Sequence, residues 1–312
     1  MLRRTLTFLA RKAPLLLALG VCIGLIVPEL AQFCRPALGP AVWLLLFLAA
    51  LRIDILRSVT LLRRPTALIT TLVWLLAVSP VLAWVILTAL PPGGGLMIAL
   101  ILMAGGAPLM STPSLAQLMG LDDTIALLVM IAATVLVPFT LPFIALHLLD
   151  LDLGIDPLTW SMKLSVFVGS AVGAAFILQK ILGSPRIARA KEPLDLVIVF
   201  ILVLFAIAIM DRVTARLLSE TGFVLRVIGI AFTAYLLMLI VSSVMGRVFG
   251  ARIGASIGFI CANRNIGIVL AVLPAGSHPD IFLYFAIWQM PMYIMPSLLA
   301  PYYQRIFKPA PQ

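Results

Sequence analysis

Apolar runs of about 18 residues or more recur along this chain from end to end, and no motif constrains its fold as strongly. Inside a bilayer every peptide N–H and C=O must find its partner within the protein, so a run of that length is a spanning helix. Of 312 residues, 63% are hydrophobic and only 11% are charged. That is too little charge to cover a water-soluble domain of this size. The fold class is therefore an all-α polytopic membrane protein. Arg3, Arg4, Arg11 and Lys12 precede the first apolar run in the manner of a signal peptide. Nothing soluble follows to be secreted, and the run reads as the first span. Cys22, Cys34 and Cys261 are too scattered for a disulfide framework or a cysteine metal site.

Proline, glycine and charge clusters punctuate the runs: "PEL" at 28–30, "PPGGG" at 91–95, "GLDD" at 120–123 and "GSPRIARAKEP" at 183–193. They set ten spans, at about 14–30, 37–52, 66–90, 95–118, 122–148, 157–183, 193–212, 222–248, 252–274 and 279–304. Sixteen of the 22 Lys and Arg lie at the termini or in the loops after spans 2, 6 and 8, whereas "DLDLGID" at 150–156 lies on the opposite side. By the positive-inside rule both termini are cytoplasmic, as in a multi-pass protein of a bacterial inner membrane. The net charge of +10 is thus a topology signal, and no nucleic-acid partner is expected.

Five spans in each half give the halves opposite orientation, the arithmetic of an inverted repeat: 1–150 for spans 1–5 and 151–312 for spans 6–10. "APLMSTPSLAQL" in span 4 precedes a span carrying Pro138 and Pro142; "CANRNIGIVL" in span 9 precedes one carrying Pro291 and Pro296. Pro113 should interrupt span 4, because it lacks a backbone donor and crowds the carbonyl four residues earlier. Thr112 and Arg264 each lie roughly 15–18 Å from the cytoplasmic end at 1.5 Å per residue, near the midplane. Backbone freed at that depth must be buried in protein or line a polar cavity, and half-helix N-termini attract anions. The substrate-binding candidates are Ser111, Thr112, Pro113, Ser114, Asn263, Arg264 and Asn265. The plainer alternatives are a proline kink whose hydroxyls bond back to carbonyls, and an arginine snorkelling to the surface.

Other features read as structural. Gly246, Gly250, Gly254 and Gly258 suit close helix packing. Asp122 and Asp123 suit the cap of span 5. Trp160, Tyr302 and Tyr303 suit interfacial belts. His147 and His278 are too far apart to suggest a metal pair, and no acid–base or nucleophile–base spacing indicates an enzyme.

On the ten spans, the polar interruption of span 4, the Asn-x-Gly of "NRNIG" and "SPVLAWVI" at 79–86, the chain resembles the bile acid:sodium symporter superfamily, in the form of a bacterial bile acid symporter-like transporter. The resemblance implies panel and core subdomains built from both repeats, broken helices 4 and 9 that cross, and sodium-coupled movement of organic anions, typically steroid conjugates. The ion ligands it implies are replaced. Ile260 stands where the family has Glu, Arg264 where it has Gln, Thr112-Pro113 where it has Ser-Asn, and Leu75, Ala126 and Met130 at other ligand positions. A hard cation needs a shell of oxygens, so sodium coupling is in doubt; no cofactor and no metal are expected. The implied function is secondary active transport of a small organic anion by alternating access. The alternatives are a transport-inactive receptor or sensor using the same pocket, and an arsenite-type efflux relative, weakened because span 4 has no cysteine. Substrate identity, direction and oligomeric state are not encoded in these motifs.

Overall fold

A helix satisfies its own backbone, and the apolar runs take that form throughout the computed structural model, which describes residues 13–52, 65–93, 95–149, 156–273 and 277–307. The helices are α1 (Ala13–Ile26), α2 (Pro28–Cys34), α3 (Leu38–Leu51), α4 (Pro65–Val73), α5 (Ser79–Ala89), α6 (Leu96–Ala104), α7 (Thr112–Met119) and α8 (Asp123–Leu149). They continue with α9 (Pro157–Leu182), α10 (Ser184–Arg189), α11 (Lys191–Ala208), α12 (Val213–Ser219), α13 (Thr221–Gly246), α14 (Ala251–Ala262), α15 (Ile266–Val272) and α16 (Pro279–Phe307). A π-helical turn, Trp74–Val78, joins α4 to α5. Among the described residues, seven helices are long and apolar enough to cross a membrane: Pro28–Leu51, Pro65–Ala89, Asp123–His147, Pro157–Leu182, Pro193–Ser219, Thr221–Phe249 and Pro279–Phe307. Arg3, Arg4, Arg11, Lys12, Arg57, Arg63, Arg64, Lys308 and most of the acidic stretch at 150–156 lie outside the described residues.

Two stretches expected as punctuation are helical instead. Pro28 and Pro185 sit in the first turns of α2 and α10, where a missing N–H costs nothing because no carbonyl awaits it.

The chain divides into two compact units, each drawing on residues before and after 150. The first comprises the described parts of Met1–Asp54 and Val166–Arg226, with Leu270–Val272. Here α11 packs on α1, and a Cβ at Gly24 would meet Ile207 O at 2.7 Å. Gln179 caps α3 by donating to Ala50 O and Leu51 O at 3.2 and 2.8 Å. Arg52–Asp195 at 2.6 Å and Arg35–Asp211 at 2.8 Å are ion pairs of this unit. Between helix middles of this unit, Trp43 Nε1 donates to Ser170 Oγ at 2.9 Å.

The second unit comprises the described parts of Ile55–Ser165, Val227–Val269 and Leu273–Gln312. Pro138 and Pro142 lie inside α8, and Pro291, Pro296 and Pro301 inside α16, without ending either helix. Pro142 has no N–H for the carbonyl of Pro138, and Ser161 Oγ donates to that carbonyl at 2.7 Å. Asp122 caps α8 as expected, accepting from Ile125 N–H at 3.0 Å, while Asp123 fills the first turn. Of the four spaced glycines, Gly246, Gly254 and Gly258 pack α13 against α14 so closely that a Cβ would strike Gly254, Ser243 or Leu239. Gly250 differs: its φ of +107° is what the turn into α14 requires, and nothing lies near it. Trp160 and Tyr303 are buried in protein rather than set in an interfacial belt; Tyr302 is exposed. An amphipathic ring at a span end can turn toward a neighbouring helix as readily as toward headgroups.

Candidate functional site

Two helices of the second unit are interrupted, and the interruptions meet. The first lies between α6 and α7, over 105–111; the second lies between α14 and α15, over Asn263–Asn265. Leu109 N–H donates to Asn263 O at 2.8 Å and Asn265 N–H donates to Ala107 O at 2.7 Å. This pairs Pro108 with Arg264 as an isolated antiparallel bridge, the one bridge among the described residues. Peptide groups that each break strips of helical partners thereby satisfy one another. The first break falls one turn before the expected position. Pro113 sits in the first turn of α7, where its fixed φ suits a helix start, and Gly105–Gly106 release the chain from α6. A Cβ at Gly105 would meet the side-chain ends of Ile144 and Leu141 of α8 at 3.1 and 3.2 Å, a tight fit.

Arg264 is fully buried, 0% exposed, which removes the snorkelling alternative. Its Nε donates to Cys261 O at 2.6 Å, Nη1 to Gly106 O at 2.8 Å and Leu75 O at 3.4 Å, and Nη2 to Ser79 Oγ at 3.2 Å. Each partner has a sequence reason to be free. Cys261 lies in the last turn of α14, whose terminal carbonyls lack intrahelical N–H donors. Gly106 is in the first break. Leu75 is released by the π-turn: Ser79 N–H bonds Trp74 O, one residue further back than in an α-helix, and the carbonyl of Leu75 is left for the guanidinium. Pro80, which has no N–H and crowds Leu76 O, accounts for that shift in register. All four partners are neutral oxygens, and no carboxylate among the described residues pairs with Arg264.

Asn263 is also fully buried. Its Nδ2 donates to Phe259 O at 2.8 Å and to the Tyr235 hydroxyl at 3.1 Å, while Oδ1 has no partner among the described residues. Asn265 is half-buried, and its Oδ1 caps α15 by accepting from Gly267 N–H at 3.1 Å. Thr112 is fully buried with its hydroxyl unpartnered, so the alternative of hydroxyls bonding back to carbonyls does not hold there. Ser111 and Pro113 are half-buried and Ser114 is exposed on α7. On α16 of the same unit, Trp288 Nε1 and Gln289 Oε1 are buried without partners, and the Trp288 ring lies 5.9 Å from that of Tyr235. Orphaned polar atoms of this kind are rare in folded proteins, and each costs about 1–3 kcal/mol when left unpaired.

Of the seven candidates, the fold brings Asn263, Arg264 and Asn265 into one backbone crossing with Ala107–Leu109; Ser111 follows that segment in the chain, Thr112 and Pro113 lie in the first turn of α7 and Ser114 is exposed on it. Sequence reasoning missed Leu75, Ser79, Gly106, Cys261 and Tyr235. Leu75 offers no side-chain oxygen, yet it contributes through its backbone. The "SP" at 79–80 was the available signal for it. No group of three His, Cys, Asp or Glu among the described residues could hold a metal ion. Comparison with protein-family models gave no match, and comparison with curated proteins gave none.

Proposed function

We propose that this chain is a secondary active transporter that carries a small organic anion by alternating access, similar in plan to the bile acid:sodium symporters. Arg264 carries the reading: a fully buried, permanently charged fork whose hydrogen-bond partners are four neutral oxygens. Neutral carbonyls solvate the guanidinium without neutralising it, and an anion at the crossing supplies the missing charge. The unpartnered Thr112 hydroxyl beside the first break adds a donor for the same ligand. With α1 and the two interrupted pairs α6–α7 and α14–α15, the seven long helices come to ten crossings, in keeping with two inverted five-span repeats in a bacterial inner membrane. In this reading the tethered cation at Arg264 stands in for a coupling sodium ion.

The test is uptake by the purified full-length protein in proteoliposomes, using radiolabelled benzoate, 3-methylbutyrate, methanesulfonate and taurocholate, with sodium or choline outside. The expected result is saturable uptake of at least one anion in both media. Arg264→Gln, shown to be folded by monodisperse elution, abolishes it. Equal uptake by wild type and Arg264→Gln contradicts the reading.

A further inference from the structure

Resting on that transport reading, we propose that the protein is an obligatory anion exchanger: it crosses between its two faces only when loaded, and so swaps one organic anion for another. Two observations converge. The charge of Arg264 is fixed, because a guanidinium does not release its proton in a protein, and its partners Cys261 O, Gly106 O, Leu75 O and Ser79 Oγ carry no charge to set against it. The acidic residues among those described stand toward helix ends or between helices. Glu29, Asp123 and Asp280 lie in first turns, Asp195 lies early in α11, and Asp122, Asp156, Asp211 and Glu220 flank helices. None of them forms an ion pair with Arg264, so no described carboxylate neutralises the crossing or carries a proton through it.

The consequence follows from the alternating-access cycle itself. Between its two open states the site must pass through a form sealed from water on both sides. With a monovalent anion bound, that form holds a paired charge. Empty, it holds a lone cation without water or counter-ion, and a lone charge in low dielectric is strongly disfavoured. The return step is therefore made with a second anion, and the outward gradient of that anion supplies the driving force. Swapping like-charged anions moves no net charge, so the exchange is indifferent to membrane potential.

The experiment uses proteoliposomes of the full chain, loaded either with one of the four unlabelled anions or with Tris sulfate alone, in a choline sulfate medium. Uptake of the same anion in radiolabelled form should be about tenfold faster into loaded vesicles than into those holding only sulfate, which are free of organic anion. It should not change when sodium replaces choline or when a potassium diffusion potential is imposed with valinomycin. Arg264→Gln should lose the difference between loaded and sulfate-only vesicles. Equal uptake with and without internal organic anion, or accumulation that follows a sodium gradient, overturns exchange while leaving transport standing. No flux of any of the four anions under either loading overturns the transport reading, and exchange with it.

Discussion

The two breaks that meet in the second unit solve the same problem with opposite materials. The first, over 105–111, opens with Gly105, Gly106, Ala107 and Pro108 and gives up backbone: Gly106 O goes to the guanidinium and Ala107 O to Asn265 N–H. The second, Asn263–Asn265, is only three residues long, and all three side chains work. Asn263 reaches Tyr235 and Phe259, Arg264 gathers four oxygens, and Asn265 caps α15. A break that exposes carbonyls needs donors, and a break that carries five guanidinium N–H groups needs acceptors. The first break supplies one of those acceptors, Gly106 O, and the two exchange backbone bonds in both directions, Asn265 N–H to Ala107 O and Leu109 N–H to Asn263 O. Neither break on its own would leave its backbone satisfied inside a membrane.

On this arrangement the substitution of Arg264 should be severe, and those of the Thr112 and Ser114 side chains at the start of α7 mild. Arg264→Gln has the largest expected effect, a loss of anion uptake of about two orders of magnitude, the usual result of truncating a buried charge that faces a ligand. Arg264→Lys should recover only part of it, because an ammonium lacks the planar fork. Ser79→Ala removes a partner of Nη2 and should lower stability by about 1.5–3 kcal/mol, read from thermal unfolding in detergent. Asn265→Ala removes the cap of α15 and should cost about 1 kcal/mol by the same measurement. Thr112→Val sharpens the comparison by splitting two readouts. Removing an orphaned hydroxyl should leave stability unchanged or raise it by about 1 kcal/mol, while anion affinity falls. Ser114→Ala, on an exposed face of α7, should stay within about 0.5 kcal/mol of wild type. A Ser114→Ala effect as large as that of Arg264→Gln would break that contrast.

Much of this was legible in the sequence, because the bilayer leaves a chain few options. Apolar run length gave the helices, and "NRN" inside such a run marked the second break to the residue. The first break lies about one turn before Pro113, because proline breaks a helix interior and not a helix start. Helix interiors reject Pro113, but a helix start accepts it, and the glycine pair at 105–106 does the releasing. The guanidinium's partners were harder to see. Three of the four are backbone carbonyls, on Leu75, Gly106 and Cys261, and side-chain chemistry says nothing about a carbonyl. Only local register frees it, as the π-turn before Pro80 frees that of Leu75. Trp160 and Tyr303 went astray for a related reason: their composition fits an interface, but the packing of neighbouring helices decides which way such a ring turns.

The most direct test of the account is equilibrium binding of the four radiolabelled anions to the detergent-purified protein, by scintillation proximity, in wild type and Arg264→Gln, each in sodium and in choline sulfate. The account predicts saturable binding of at least one anion to wild type, equal in the two salts and lost in Arg264→Gln. Undiminished binding to folded Arg264→Gln, or wild-type binding that requires sodium, would contradict it.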